Sequence, residues 1–146
     1  MENRLSLYLE EAEIHKNKIK KALNKLPINL TVNDIKKYEE ALDMLAFRFS
    51  RLQGILGEKI FREYLEYNLI DTKDKSFLDI LKLIEKEGIV DIDTWSSFRK
   101  VRNFIFHEYP LSDEEKVEVI NFLIKNAYKL IEIEEKIYDK INTKRG

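Results

Sequence analysis

A chain of 146 residues fits one domain around one core. Its 44% hydrophobic and 36% charged residues, with only four Gly and two Pro, suit amphipathic helices and exclude a turn-rich β-sandwich. Cysteine is absent, which excludes disulfides and thiolate metal sites, and 26 basic against 27 acidic side chains leave a net charge of −1, so nucleic-acid binding requires a local basic patch.

Leu5, Leu9, Ala12, Ile19 and Leu23 recur at helical spacing and predict a first helix over residues 4–25, ended by Pro27. Thr31 or Asn33 is placed to cap a long second helix, about 33–67, whose apolar positions include Ile35, Leu42, Leu45, Phe49, Leu52, Leu56, Ile60, Tyr64 and Tyr67. Gly54 and Gly57 each cost about 1 kcal/mol inside a helix, so they point to a bend or a close helix contact. A third helix is expected from Thr72 or Asp74 through Glu87, stopped by Gly88. Asp91 or Asp93 caps a fourth, about 94–108, ended near Pro110. Ser112-Asp-Glu-Glu115 has the capping-box pattern and starts a last helix, about 113–142. The expected fold is all-α, an antiparallel bundle of about five helices in one domain over residues 1–146. The longest apolar runs fall far short of the ~20 residues that span a bilayer, and the charged start Met1-Glu-Asn-Arg predicts no signal peptide. A cytoplasmic location and no membrane partner are the corresponding expectations.

Most familiar catalytic signatures are missing. Only two histidines exist, and neither forms a pair at metal-ligand spacing. There is no glycine-rich phosphate loop and no serine elbow. No metal and no cofactor is expected. His15, in the charged stretch Glu11-Ala-Glu-Ile-His-Lys, is expected on the surface. His107 is placed differently, at the end of the fourth helix. At about 100° per residue, Arg99, Asn103 and His107 form an i, i+4, i+8 row, with Arg102 beside it. Trp95, Phe98, Val101 and Ile105 face the other way, toward the core.

This polar edge suits RNA cleavage. An imidazole titrates near neutrality and serves as base or acid, while a guanidinium clamps phosphate oxygens with paired donors. One histidine covers half of the acid–base work; a second copy in a symmetric dimer, or an ordered water, supplies the rest. The plain structural alternative is a histidine favoured by a helix C-terminus beside a surface arginine.

The string Arg102-x4-His107 resembles the RxxxxH motif of the HEPN superfamily, and Asn103 matches the polar residue that follows its arginine. Tyr109 extends the likeness to the RxxxxHxY form of HepT-like toxins. Upstream, Phe47-Arg-Phe-Ser-Arg-Leu-Gln-Gly and Gly57-Glu-Lys resemble the second-helix pattern of one HepT-like subgroup. The resemblance implies a homodimer with a composite site and metal-independent endoribonuclease activity. In it Arg102 acts on phosphate and His107 in acid–base chemistry, supported by Asn103 and Arg99. It also implies a type VII toxin–antitoxin pairing with a minimal nucleotidyltransferase (MntA-like) antitoxin that AMPylates Tyr109. A bulky anionic adduct two residues from His107 would block a cleft and repel RNA.

Arg99, Lys100 and Arg102, together with Arg48 and Arg51, would form a basic groove when doubled across a dimer, opposed by Glu108. Phe104 and Phe106 are expected in the core or a dimer contact. Two other functional classes compete: a non-catalytic helical subunit that presents substrate or nucleotide to a nucleotidyltransferase, and a plain helical dimerisation domain.

Overall fold

The computed structural model of the chain describes residues 4–106 and 112–145. Among them every regular element is helical and no strand occurs. Helix α1 runs Arg4–Asn24, α2 Glu39–Ile55, α3 Phe61–Tyr67, α4 Phe77–Lys86, α5 Ile92–Phe106 and α6 Asp113–Arg145. A π turn, Leu56–Ile60, joins α2 to α3, so these two read as one rod and the described chain comprises five long helical segments.

The first helix places Leu5, Leu9, Ala12, Ile19 and Ala22 in the core, as its spacing predicts. Pairings show it antiparallel to two neighbours. Residue 15 meets residue 48 of α2, and Tyr8 lies beside the stretch from Ser50 to Lys59. Against α6, Lys16 reaches Glu134, while Leu5 and Leu9 lie near Tyr138 and Ile141. The Lys16 ammonium is 3.0 Å from the Glu134 carboxylate, which is almost wholly buried. Burial pushes the Glu134 carboxyl up, against the pull of Lys16.

The second helix begins later than expected. Thr31 caps only a short 3-10 turn, Val32–Asp34, because the Asp34 carboxylate folds back to accept from the Thr31 N–H and hydroxyl. Four more residues turn before α2 starts at Glu39. Leu30, just ahead, is fixed by Asn121 of α6, whose amide accepts from the Leu30 N–H at 2.8 Å and donates to its carbonyl at 2.9 Å. This connection therefore closes against the long last helix instead of extending α2 backward.

The π turn follows from the apolar spacing. Leu52, Leu56, Ile60 and Tyr64 are all buried at successive intervals of four. On a regular α-helix three such steps overshoot by about 120°, which would carry Tyr64 off the core face. One wider turn absorbs the excess and keeps the four side chains on one side.

The third expected helix also starts late, at Phe77, not near Thr72 or Asp74. Ser76 and Asp79 make a reciprocal capping box there, with Asp79 N–H donating to Ser76 Oγ at 3.2 Å and Ser76 N–H to the Asp79 carboxylate at 3.3 Å. Thr72 is instead buried and donates its hydroxyl to Glu66. Gly88 ends α4 with φ +77°, as its position predicts. Asp91 caps α5 through the Thr94 N–H at 2.7 Å, and the Ser112–Glu115 box opens α6.

Trp95 and Phe98 anchor α5 in the core. Phe98 meets Phe49 of α2 edge-on at 5.7 Å, and Trp95 packs on Phe61 at 4.8 Å. Burying each such ring contributes roughly 1.5–3 kcal/mol. The contacts fix which face of α5 looks outward. No helix among the described residues is long and apolar enough to cross a membrane.

Candidate functional site

The outward edge of α5 faces the π turn. Between them lies an open cleft of about 450 Å³, with Arg62, Arg99, Arg102 and Asn103 on its polar rim and Phe77 and Trp95 among its apolar lining. Arg99 and Asn103 are exposed, and Arg102 is half-buried. Three of the four residues on the predicted edge are thus together in one recess. His107 and Tyr109 lie outside the described residues, as do Glu108 and Pro110.

Arg102 is positioned by α2. Its Nη1 donates to Gln53 Oε1 at 2.9 Å, and Gln53 is itself buried. The guanidinium rests above Gly54: a Cβ there would sit 3.2 Å from Nη2 and 3.4 Å from the central carbon. Glycine therefore lets the cation lie on the helix backbone. The Glu58 carboxylate is 3.9 Å from Nη1, a loose and largely exposed ion pair. A carboxamide that orients a guanidinium without neutralising it leaves that cation able to attract an anion.

Gly57 serves a different purpose. A Cβ there would come within 2.8 Å of the Trp95 ring. The close helix contact expected from the two glycines is this one, and the ring it admits forms part of the cleft lining. Gln53 was the contributor that sequence reasoning missed. Its position one residue before Gly54, on the face that meets α5, was the available signal.

The other predicted cations separate. Arg51 is exposed on α2 and adjoins the site through Arg102. Arg48 instead donates from Nη1 to His15 Nδ1 at 3.0 Å and lies 5.3 Å from the centre of the Phe47 ring. Lys100 lies on another side of α5, in a mostly apolar groove with Val101, Phe104 and Phe122. Phe104 is partly buried there, in keeping with its apolar reading.

His15 corrects the expectation of a surface residue: it is buried, 5% exposed. It occupies the core stripe of α1 between Ala12 and Ile19. Burial holds its pKa below the usual histidine value, and the neighbouring Arg48 and Arg51 charges add to this against an opposing Glu11. Because Nδ1 accepts from Arg48, the neutral ring carries its proton on Nε2. Among the described residues no three His, Asp or Glu side chains converge on a metal-sized site.

No protein-family model matches this chain, and no curated protein or solved structure shows significant similarity to it.

Proposed function

We propose that this chain is a HEPN-type, HepT-like endoribonuclease toxin that acts without a metal ion as a homodimer. The observation that carries the reading is the seating of Arg102: held by Gln53 over the bare backbone of Gly54, it lines an open cleft with Arg99 and Asn103 on the helix that leads to His107. The resemblance of Arg102-x4-His107-x-Tyr109 to the family motif adds the roles.

In this mechanism His107 takes the proton from a ribose 2′-OH, whose oxygen attacks the adjacent phosphorus in line. Arg102 gathers the negative charge of the phosphorane through two N–H donors, with Arg99 and Asn103 on the flanking oxygens. The imidazole of the second copy protonates the departing 5′-oxygen. The products are a 2′,3′-cyclic phosphate and a 5′-hydroxyl. A minimal nucleotidyltransferase antitoxin silences the site by placing AMP on Tyr109, which adds bulk and negative charge beside His107.

Expression of the wild type, His107→Ala and Arg102→Ala in cells, followed by growth and RNA end-group mapping, tests the proposal. The wild type should arrest growth and leave cyclic-phosphate ends, and each variant should lose at least 100-fold in cleavage. A wild type as harmless as His107→Ala sinks the toxin and leaves the non-catalytic subunit. Co-expression with the antitoxin should add AMP mass at Tyr109 and nowhere in Tyr109→Phe.

A further inference from the structure

The recess that holds Arg102 does not stop at α2. Arg102 also lines a second recess of about 200 Å³ on the α1 side of that helix, together with Tyr8, Glu11, Arg51 and Lys59. The two recesses share Gly54, Glu58 and Arg102. At Gly54 no side chain rises between them, so a bare saddle of helix backbone joins one to the other.

Charge follows the same line. The two linings together carry Arg51, Lys59, Arg62, Arg99 and Arg102 against only Glu11 and Glu58. The remainder of the chain then holds 21 basic and 25 acidic side chains. A protein with no net basic excess thus concentrates positive charge along this path, which is how a near-neutral chain attracts a polyanion. Each recess also offers one half-buried aromatic ring, Tyr8 on the α1 side and Phe77 on the α5 side.

We propose that the two recesses are one binding track for a single-stranded polynucleotide that crosses α2 at Gly54. Arg102 holds a phosphate at the saddle, and Arg51 and Lys59 hold a neighbouring phosphate on the α1 side. The inference rests on the ribonuclease reading for its choice of RNA. A mononucleotide would need only one recess. A duplex would keep its bases stacked away from Tyr8 and Phe77, whereas an unpaired strand can lay bases on such rings.

The test uses full-length protein carrying His107→Ala, so that RNA is not consumed, and a fluorescein-labelled RNA octamer of mixed sequence. Anisotropy is measured from 50 to 200 mM salt. Arg51→Gln/Lys59→Gln should weaken binding at least tenfold and make the slope of log K against log salt shallower by about 1.4, at about 0.7 per lost phosphate contact. Tyr8→Ala should weaken binding as well, and Glu11→Gln should tighten it. Arg51 and Lys59 are exposed, so a far-ultraviolet circular dichroism spectrum like that of the parent is expected. Unchanged affinity and slope in the double variant overturn the track, as does equal affinity for a duplex of the same length. The two readings fail separately. If the wild type cleaves the octamer and Arg51→Gln/Lys59→Gln matches its kcat/KM, the track falls and the ribonuclease stands. If the wild type cleaves nothing while the parent binds with the expected slope difference, the track stands and the ribonuclease falls.

Discussion

Arg102 and Gly54 form a contact in which stability and activity pull in opposite directions. Alanine at 54 relieves a helical glycine, a gain of about 1 kcal/mol. Its Cβ would press on the tip of a flexible side chain, which can swing aside at little cost to the fold. Gly54→Ala is therefore expected to keep or raise the urea midpoint while RNA cleavage falls at least tenfold, a 1 Å misplacement being enough for such a loss. A retained rate in a folded variant would show that the seat is unimportant. His15 supplies a second prediction at this scale. Its folded-state pKa lies below 6.5, so the unfolded chain binds more protons between that lowered value and 6.5. This stabilisation is complete above pH 6.5 and is lost as pH falls through the window. The charged neighbours Arg48, Arg51 and Glu11 set its depth. His15→Gln keeps an acceptor for Arg48 but does not titrate, so its thermal midpoint should decline less than that of the wild type from pH 7 to 5. Parallel decline in both would remove His15 as the cause.

Among the elements, Gly57 contrasts with Gly54. The atom its Cβ would strike belongs to Trp95, which is 1% exposed and packed on Phe61. That ring has nowhere to go. Gly57→Ala should destabilise by about 1–2 kcal/mol, overpacking outweighing the helical gain; chemical denaturation measures this. The elements were legible where periodicity and caps agreed. Asp91, Ser112 and Gly88 each mark a boundary that the structure keeps. Boundaries failed where a polar side chain had two possible uses. Thr31 caps a 3-10 turn because Asp34 answers it at once, and Thr72 turns inward to Glu66. His15 was misread because charged neighbours hid its place between Ala12 and Ile19 on the buried stripe. For the site, the edge of Arg99, Arg102 and Asn103 followed from helical geometry. Gln53, which aims Arg102, comes from a helix 49 positions earlier and needed the packing of α2 on α5 to be found.

Across the whole molecule, α1 is clasped to the last helix by Lys16 and Glu134, with Glu135 joining at 3.7 Å. Such a pair contributes little over an apolar match of the same shape, yet breaking one side is expensive. Lys16→Met should cost about 3 kcal/mol by stranding the buried Glu134 carboxylate, and Lys16→Met/Glu134→Leu should recover most of that loss. If the double variant is no better than the single, the pair does more than neutralise itself. The stakes extend beyond this seam, since α1 also forms the Tyr8 and Glu11 wall beside Arg51 and Lys59.

The π turn at Leu56–Ile60 has a consequence for descent. One surplus residue in a helix is absorbed there while the faces before and after it stay aligned. A homologue lacking one residue between 56 and 60 would then form an unbroken α-helix with Leu52 and Tyr64 still inward. An aligned set of relatives would show a single-residue gap in the middle of a long helix, where gaps are ordinarily penalised most. The same gap would remove the wide turn opposite α5, so its presence or absence would sort relatives by the shape of the cleft and not by the fold.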